Sequence, residues 1–409
     1  MNNIELLSPA GSLEKLKMAI LYGADAVYAG GEAFSLRAAA KNFSKEDLKR
    51  GVDFVHEKGK KIYITANIFP HNSDLDEIPE FMEEMEKLSP DGLIISDLGM
   101  FSMAKKYAPS IPIHISTQAN CVNYASANMW HELGAKRVVL ARELSFDEIS
   151  DIRKNTSDDL EIEAFVHGAM CISYSGRCLL SSYMAGRDSN QGDCAHPCRW
   201  NYSLVEEKRP GEYMDVFENE RGTFIFNSKD LCMINYIPEL IKSGITSFKL
   251  EGRVKTEYYV AIVTKAYRAA IDAYLENPDK YVFNPEWAEE LSKVSNRRYT
   301  NGFYLGKPNE EAQVYGSSSY IREYDIVGLV KGYDKTTGEN IIEQRNRIFT
   351  GEEIEVVPPR DKFFAHTISK MKNDKDEIIE SAPHAQQIIK INLGKELPEN
   401  TILRKKRDR

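Results

Sequence analysis

Five of the six cysteines in this 409-residue chain fall between positions 171 and 232, as Cys171, Cys178, Cys194, Cys198 and Cys232 in the pattern C-x6-C-x15-C-x3-C-x33-C. Clustered thiols serve as cross-links, nucleophiles or metal ligands. Cross-links require an oxidising compartment. The opening stretch MNNIELLSPAGS lacks the basic region and apolar run of a secretory signal, so a cytoplasmic location with reduced thiols is expected. A nucleophile needs one thiol and leaves four unexplained. Cys121 stands apart and is assigned to packing, where a free cysteine behaves as a small hydrophobe. The other five lie among Gly, Ser, Asp and Asn residues with little core to join. Cysteine clusters in intracellular chains more often bind metal. Structural zinc usually takes thiols in pairs roughly two to four residues apart, and only Cys194 and Cys198 make such a pair. Ligands dispersed along a loop suit a [4Fe–4S] cluster; zinc is the alternative.

The elements that must position these thiols repeat over the first 255 residues: a short apolar run, a polar or glycine-rich corner, then a helical pattern. The runs IELLSPAG, AVYAGG, KIYITANIF, GLIISD, IPIHISTQ, RVVLARE, EIEAFVHG and SFKLEGR read as eight strands. Helices such as SLEKLKMAILYG and SKEDLKRGVDFVHEKG lie between early ones, and both stop at a glycine, Gly23 and Gly59. Strands alternating with helices pair in parallel, and eight of them predict a TIM-like (β/α)8 barrel. A doubly wound open sheet is the alternative, but no glycine-rich nucleotide fingerprint follows the first strand. Between the seventh and eighth strands lie nearly 80 residues instead of about 15–25 for a helix with two short loops. Part is the expected helix LCMINYIPELIKSG; the rest, about 171–230, is a Cys-rich insertion. The barrel with its insertion is expected over 1–277 and a connecting region over 278–317. Short strands separated by turn residues predict a small C-terminal antiparallel β-barrel over 318–409, ending in a basic tail.

Loops at the strand C-termini build the site of such a barrel. Those corners carry Ser8, Asn67, Asp97, His114 with Gln118, Arg142 with Glu143, His167, and Glu251 with Arg253. The insertion leaves the seventh corner, which places the thiols over the mouth beside His167 and Arg177. His167, His114, Arg142, Glu143, Glu251 and Arg253 are the catalytic candidates; Asn67, Gln118, Arg177 and Arg253 are the substrate-binding candidates. Each has a plainer reading. His114 fits an interior, hydrogen-bonded histidine, and Arg142–Glu143 and Glu251–Arg253 fit ion pairs that close the barrel. Arginine at a mouth also suits a carboxylate, whose two oxygens match the guanidinium fork.

The stretch EAFVHGAMCISYSGRCLLS resembles the signature of the collagenase-like peptidase family through Glu163, Phe165, Gly168, Ala169, Cys171, Gly176, Cys178 and Ser181. GDCAHPCRW, NSKDLC and FKLEGRVK resemble further blocks of that family, so the likeness runs along essentially the whole chain. The resemblance implies an oxygen-independent hydroxylation factor rather than a protease. Branches of the family modify the tRNA wobble uridine to 5-hydroxyuridine, hydroxylate ribosomal RNA, or serve ubiquinone synthesis. The C-terminal barrel makes the tRNA branch the best match. That branch implies tRNA as substrate, prephenate or a similar small carboxylate as a required metabolite, and a [4Fe–4S] cluster. Carried over by position, the cluster ligands are Cys171, Cys178, Cys194 and Cys232; a paralogous pattern uses Cys198. A paralogous protein is a candidate partner.

Other classes find less support. No H-E-x-x-H zinc-protease motif occurs: HEKGK has Lys60 and HELGA has Ala135 at the second histidine position. No G-x-S-x-G elbow is present. Cys171 with His167 offers a cysteine-peptidase pair, which keeps a collagenase-like peptidase as one alternative; a zinc-containing scaffold or assembly factor is another. No run approaches the roughly 18 apolar residues of a membrane span. The net charge of -9 confines any polyanion site to a local basic patch. The C-terminal module supplies Lys331, Lys335, Arg345, Arg347, Arg360, Lys362, Lys370 and Lys372 with Phe363 and Phe364, suited to RNA contact or to a solvated mixed-charge surface.

Overall fold

The computed structural model describes residues 4–36, 42–171, 173, 176, 178–200, 203–205, 213–215, 228–307 and 320–407. Each apolar run becomes a strand and each following amphipathic segment a helix. The order is β1 Glu5–Ala10, α1 Leu13–Leu21, β2 Ala26–Gly30, α2 Lys45–Glu57, β3 Lys61–Ala66, α3 Ile78–Leu88, β4 Gly92–Ile95, α4 Leu98–Tyr107, β5 Ile113–Ile115, α5 Tyr124–Glu132, β6 Arg137–Val139, α6 Phe146–Lys154 and β7 Glu161–Gly168. The insertion holds α7 Leu180–Ala185 and a hairpin of β8 Ser203–Val205 with β9 Tyr213–Asp215. Then come β10 Asp230–Cys232, α8 Ile237–Lys242, β11 Ser247–Leu250, α9 Glu257–Glu276, α10 Pro285–Ser292 and β12 Tyr299–Thr300.

Strands β1 to β7 pair in sequence and in parallel, and β11 pairs in parallel with both β7 and β1, closing an eight-stranded barrel. Side-chain caps start most helices: Ser12, Ser44, Asp97, Asn123 and Thr256 each accept a backbone N–H of the first turn, and Ser145 forms a capping box with Glu148. Gly23 and Gly59 adopt φ of 119° and 64°, the left-handed geometry that lets a chain leave a helix. Strand β7 outruns β6, and its free end takes β10 antiparallel, with Leu231 opposite Gly168 and Cys232 opposite His167. The residues around Cys232, expected to begin a helix, form this strand instead; α8 starts only at Ile237.

The barrel interior is layered. At one end a buried polar group joins Arg137 to Glu5 at 2.6 Å and to Glu163 at 2.9 Å, with Lys249 on the other oxygen of Glu163 at 2.5 Å. An apolar layer of Leu7, Ala26, Tyr28, Tyr63 and Ile94 lies within the same barrel. Buried charges survive only when paired, and here each guanidinium and ammonium meets a carboxylate.

The C-terminal unit comprises β13 Tyr324–Asp334, β14 Glu339–Gln344, β15 Ile348–Phe349, β16 Glu353–Val357, β17 Phe364–Thr367, β18 Met371–Asn373, β19 Ile378–Ile379, β20 Ser381–Ala382, β21 Ile388–Ile391 and β22 Ile402–Lys406. Eight of them form a curled antiparallel sheet in the order β17-β16-β22-β13-β14-β21-β18-β19, and β15 pairs with β20. This sheet packs on the barrel: the Tyr22 hydroxyl donates to Val357 and Asn400 carbonyls, and fully buried Arg404 pairs with Glu290 and Glu355.

Candidate functional site

Two adjoining cavities occupy the mouth of the barrel. The inner one, about 120 Å³, is lined by residues from the strand ends, including Asn67, Gln118, Arg142, Lys249, Glu251 and Arg253. The outer one, about 760 Å³, is lined by Cys171, Cys178, Cys194, Cys198 and His196 of the insertion. Leu36, Gln118, Arg142 and Arg253 belong to both walls, so the thiol chamber adjoins the mouth.

Partial desolvation pushes the Cys171 thiol up, and the neighbouring Cys178 and Cys194 thiols add to the rise. The Cys194 sulfur lies 3.8 Å from His196 Nδ1. Cys232 lies elsewhere. It lines a separate cavity of about 530 Å³ with Lys229, Tyr299 and Lys307, receives the Tyr267 hydroxyl at 3.9 Å, and burial pushes its thiol up to about 11. Among the described residues no three His, Cys, Asp or Glu side chains are gathered closely enough to hold a metal ion. Four thiols on one chamber wall are nevertheless a soft donor set, of the kind that suits an iron–sulfur cluster or zinc. Cys121 packs in the core, where burial raises its thiol to about 11.

Asn67, Gln118, Arg142, Glu251 and Arg253 are brought together at the mouth. Arg142 lies 3.8 Å from the Phe165 ring centre and 3.9 Å from Glu251. Arg253 is buried and holds the loop after β2: it donates to Ser35 and Thr65 hydroxyls at 2.8 and 3.1 Å, to the Leu36 carbonyl and to Asn42. Among the described residues an ion pair runs across the mouth from Arg142 to Glu251. Glu143 is half-buried, four residues beyond the mouth-facing end of β6. Arg177 lies outside the described residues.

The two histidines sit away from the mouth cavity. His114 is buried within the barrel, its ring edge-on to Tyr63 at 4.6 Å and its backbone paired with Arg137. Burial, with Arg137 and Lys249 nearby, holds it well below the usual imidazole range. Among the described residues its Nδ1 has no hydrogen-bond partner. His167 packs among Tyr259, Tyr267 and Tyr299 at 5.4–6.0 Å, and burial lowers it to about 3, so it is neutral. The pairing of β7 with β11 passes from Phe165 opposite Lys249 to His167 opposite Leu250, so β7 carries one extra residue there and its alternation breaks. Ser8 and Asp97 differ from expectation: Ser8 bonds Thr264 of α9 at 2.7 Å, and Asp97 caps α4.

Sequence reasoning passed over Lys249, Phe165 and Tyr28 as mouth residues. The signal was alternation: Ser247, Lys249 and Glu251 share one face of an extended run. In the C-terminal unit, several candidate RNA contacts are already paired, Lys331 with Glu343, Lys372 with Glu339, and Arg345 with Glu14 and Glu343.

Residues 11–314 match the model of peptidase family U32, and residues 322–404 match the peptidase family U32 C-terminal domain. The chain belongs to peptidase family U32. It is 41% identical over 401 residues to tRNA hydroxylation protein P1 of Bacillus subtilis, covering 98% of this chain and 94% of that one. It is 38% identical to tRNA hydroxylation protein P of Escherichia coli, covering 93% and 91%. A protein of Porphyromonas gingivalis named collagenase is 31% identical, covering 95% and 94%. No helix among the described residues is long and apolar enough to cross a membrane.

Proposed function

We propose that this chain acts in tRNA modification, in the oxygen-independent hydroxylation of the wobble uridine to 5-hydroxyuridine. In this reading a [4Fe–4S] cluster is held by Cys171, Cys178, Cys194 and a fourth thiol, Cys232 or Cys198, and prephenate or a similar small carboxylate sits in the barrel mouth. The observation that carries the reading is the shared wall: Gln118, Arg142 and Arg253 face both the thiol chamber and the mouth cavity. Two relatives of nearly the same length named for tRNA hydroxylation support the substrate class.

When bound, such a cluster supplies one-electron transfer. The chain's own residues do the rest. Arg142, steadied on the Phe165 face and near Glu251, presents a guanidinium to a carboxylate. Arg253 fixes the loop after β2 and so fixes the cavity wall. Asn67 and Gln118 supply neutral donors and acceptors that orient the bound molecule.

Nucleoside analysis of tRNA from a strain lacking this protein tests the proposal. Loss of 5-hydroxyuridine and its derivatives, restored by the native chain but not by Cys171→Ser, is expected. An unchanged nucleoside profile in the deletion strain would contradict it.

A further inference from the structure

The mouth cavity contains a cation whose position is fixed from below. Lys249 has a nearly buried side chain, yet it lines the cavity. Its ammonium bonds Glu163 Oε1 at 2.5 Å, and Glu163, fully buried, is held through its other oxygen by Arg137. Arg137 is anchored in turn by Glu5 and Glu161, each at 2.6 Å. The ammonium also lies 4.6 Å from the Tyr28 ring centre and 5.4 Å from that of Phe165. A lysine is normally a mobile point charge; this one is gripped by one carboxylate and two aromatic faces.

Phe165 sets the geometry of a pair. Arg142 lies 3.8 Å from its centre and Lys249 lies 5.4 Å from it, which caps the separation of the two cations at 9.2 Å. Both face the same small cavity. Arg253, also there, directs its guanidinium at Ser35, Thr65, Leu36 and Asn42. An ammonium has three N–H donors, and the Glu163 bond uses one, so Lys249 retains donors for a ligand.

We propose that Lys249 is the specificity-determining residue of the mouth cavity, binding the second carboxylate of a dicarboxylate whose first carboxylate sits on Arg142. This rests on the reading of the mouth as a carboxylate site. The buried Glu163–Arg137–Glu5 group is the anchor that positions the ammonium, and discrimination between dicarboxylates and monocarboxylates follows from it. A fixed, desolvated ammonium with donors left over favours a ligand whose second carboxylate reaches them.

The test uses the full chain, purified without oxygen, and two probes measured by calorimetry: prephenate, with two carboxylates, and phenylpyruvate, with one. The native chain is expected to bind prephenate more tightly. Lys249→Gln is expected to weaken prephenate binding about 10- to 100-fold, the range for losing a charge-assisted bond, and to leave phenylpyruvate binding unchanged. Because that variant leaves Glu163 to Arg137, the double variant Glu163→Gln with Lys249→Gln removes both charges of the Lys249–Glu163 pair together. It is expected to recover the native melting temperature without recovering prephenate affinity. Native prephenate affinity in either variant, or equal weakening for both probes, overturns the role of Lys249 alone. A native chain that binds neither probe overturns the carboxylate reading, and the inference with it.

Discussion

Replacing Gly168 with alanine should damage the mouth. Gly168 ends β7, where the chain turns from the barrel into the thiol-bearing insertion, and its φ is +107°. A side chain in this region costs about 1–2 kcal/mol in backbone strain. A Cβ there would overlap the Glu251 carbonyl oxygen and lie 2.8 Å from Glu251 Cβ, against the 3.4 Å of ordinary contact. Glu251 must therefore retreat by about 1.0 Å to bring its carbonyl oxygen from 2.4 Å to that distance. The bond from Glu251 N–H to the His167 carbonyl, now 2.8 Å, is the link that the retreat strains, and its loss adds roughly 0.5–1.5 kcal/mol. The total is about 2–3 kcal/mol, a fall in Tm on the order of 4–12 °C for a barrel of this size. Because Glu251 is the ion-pair partner of Arg142, carboxylate affinity should fall with stability. Thermal melts of the native chain and Gly168→Ala, with calorimetric titration of prephenate, measure both. A variant with native Tm and native affinity would refute this account of the β7 corner.

Three further outcomes follow from the same geometry. Asp230 and Arg297 form a 2.6 Å pair with both side chains buried, so Arg297→Met should destabilise by about 3–5 kcal/mol in denaturant titrations. His114 is held neutral by burial, its folded pKa lying well below its unfolded value near 6.5. The unfolded chain therefore takes up the proton first, and stability is lost as pH falls below about 6.5, with a slope of up to roughly 1.4 kcal/mol per pH unit. His114→Gln should flatten that limb in melts recorded between pH 5 and 7. Cys198 shares the thiol chamber whereas Cys232 lines the neighbouring cavity, so Cys198→Ser should lower iron content more than Cys232→Ser; the reverse order would make Cys232 the fourth ligand.

The barrel was legible because its signals are local. Apolar runs bounded by glycine and polar corners mark all eight strands, and serine, aspartate, asparagine and threonine caps mark most helix starts. The mouth was legible in part, since Asn67, Gln118, Arg142, Glu251 and Arg253 follow strand ends directly. What was missed depends on contacts distant in sequence. Lys249 looks like an ordinary charged residue until Glu163, 86 positions away, is seen to hold it. Arg253 looks like a free fork until the loop after β2 closes on it. His167 follows the alternation of EIEAFVHG only as far as the irregular register opposite it, and its ring joins three tyrosines from later elements. Cys232 could not be separated from its neighbours by spacing, because the β10 pairing that moves it to another cavity is antiparallel and long-range.

The most direct test is iron and acid-labile sulfide analysis of the full chain purified under strict exclusion of oxygen. The account predicts a brown protein with absorbance near about 400 nm and about four irons and four sulfides per chain, reduced to background when Cys171, Cys178 and Cys194 are replaced by serine. A colourless protein carrying one zinc per chain, or none, would contradict it.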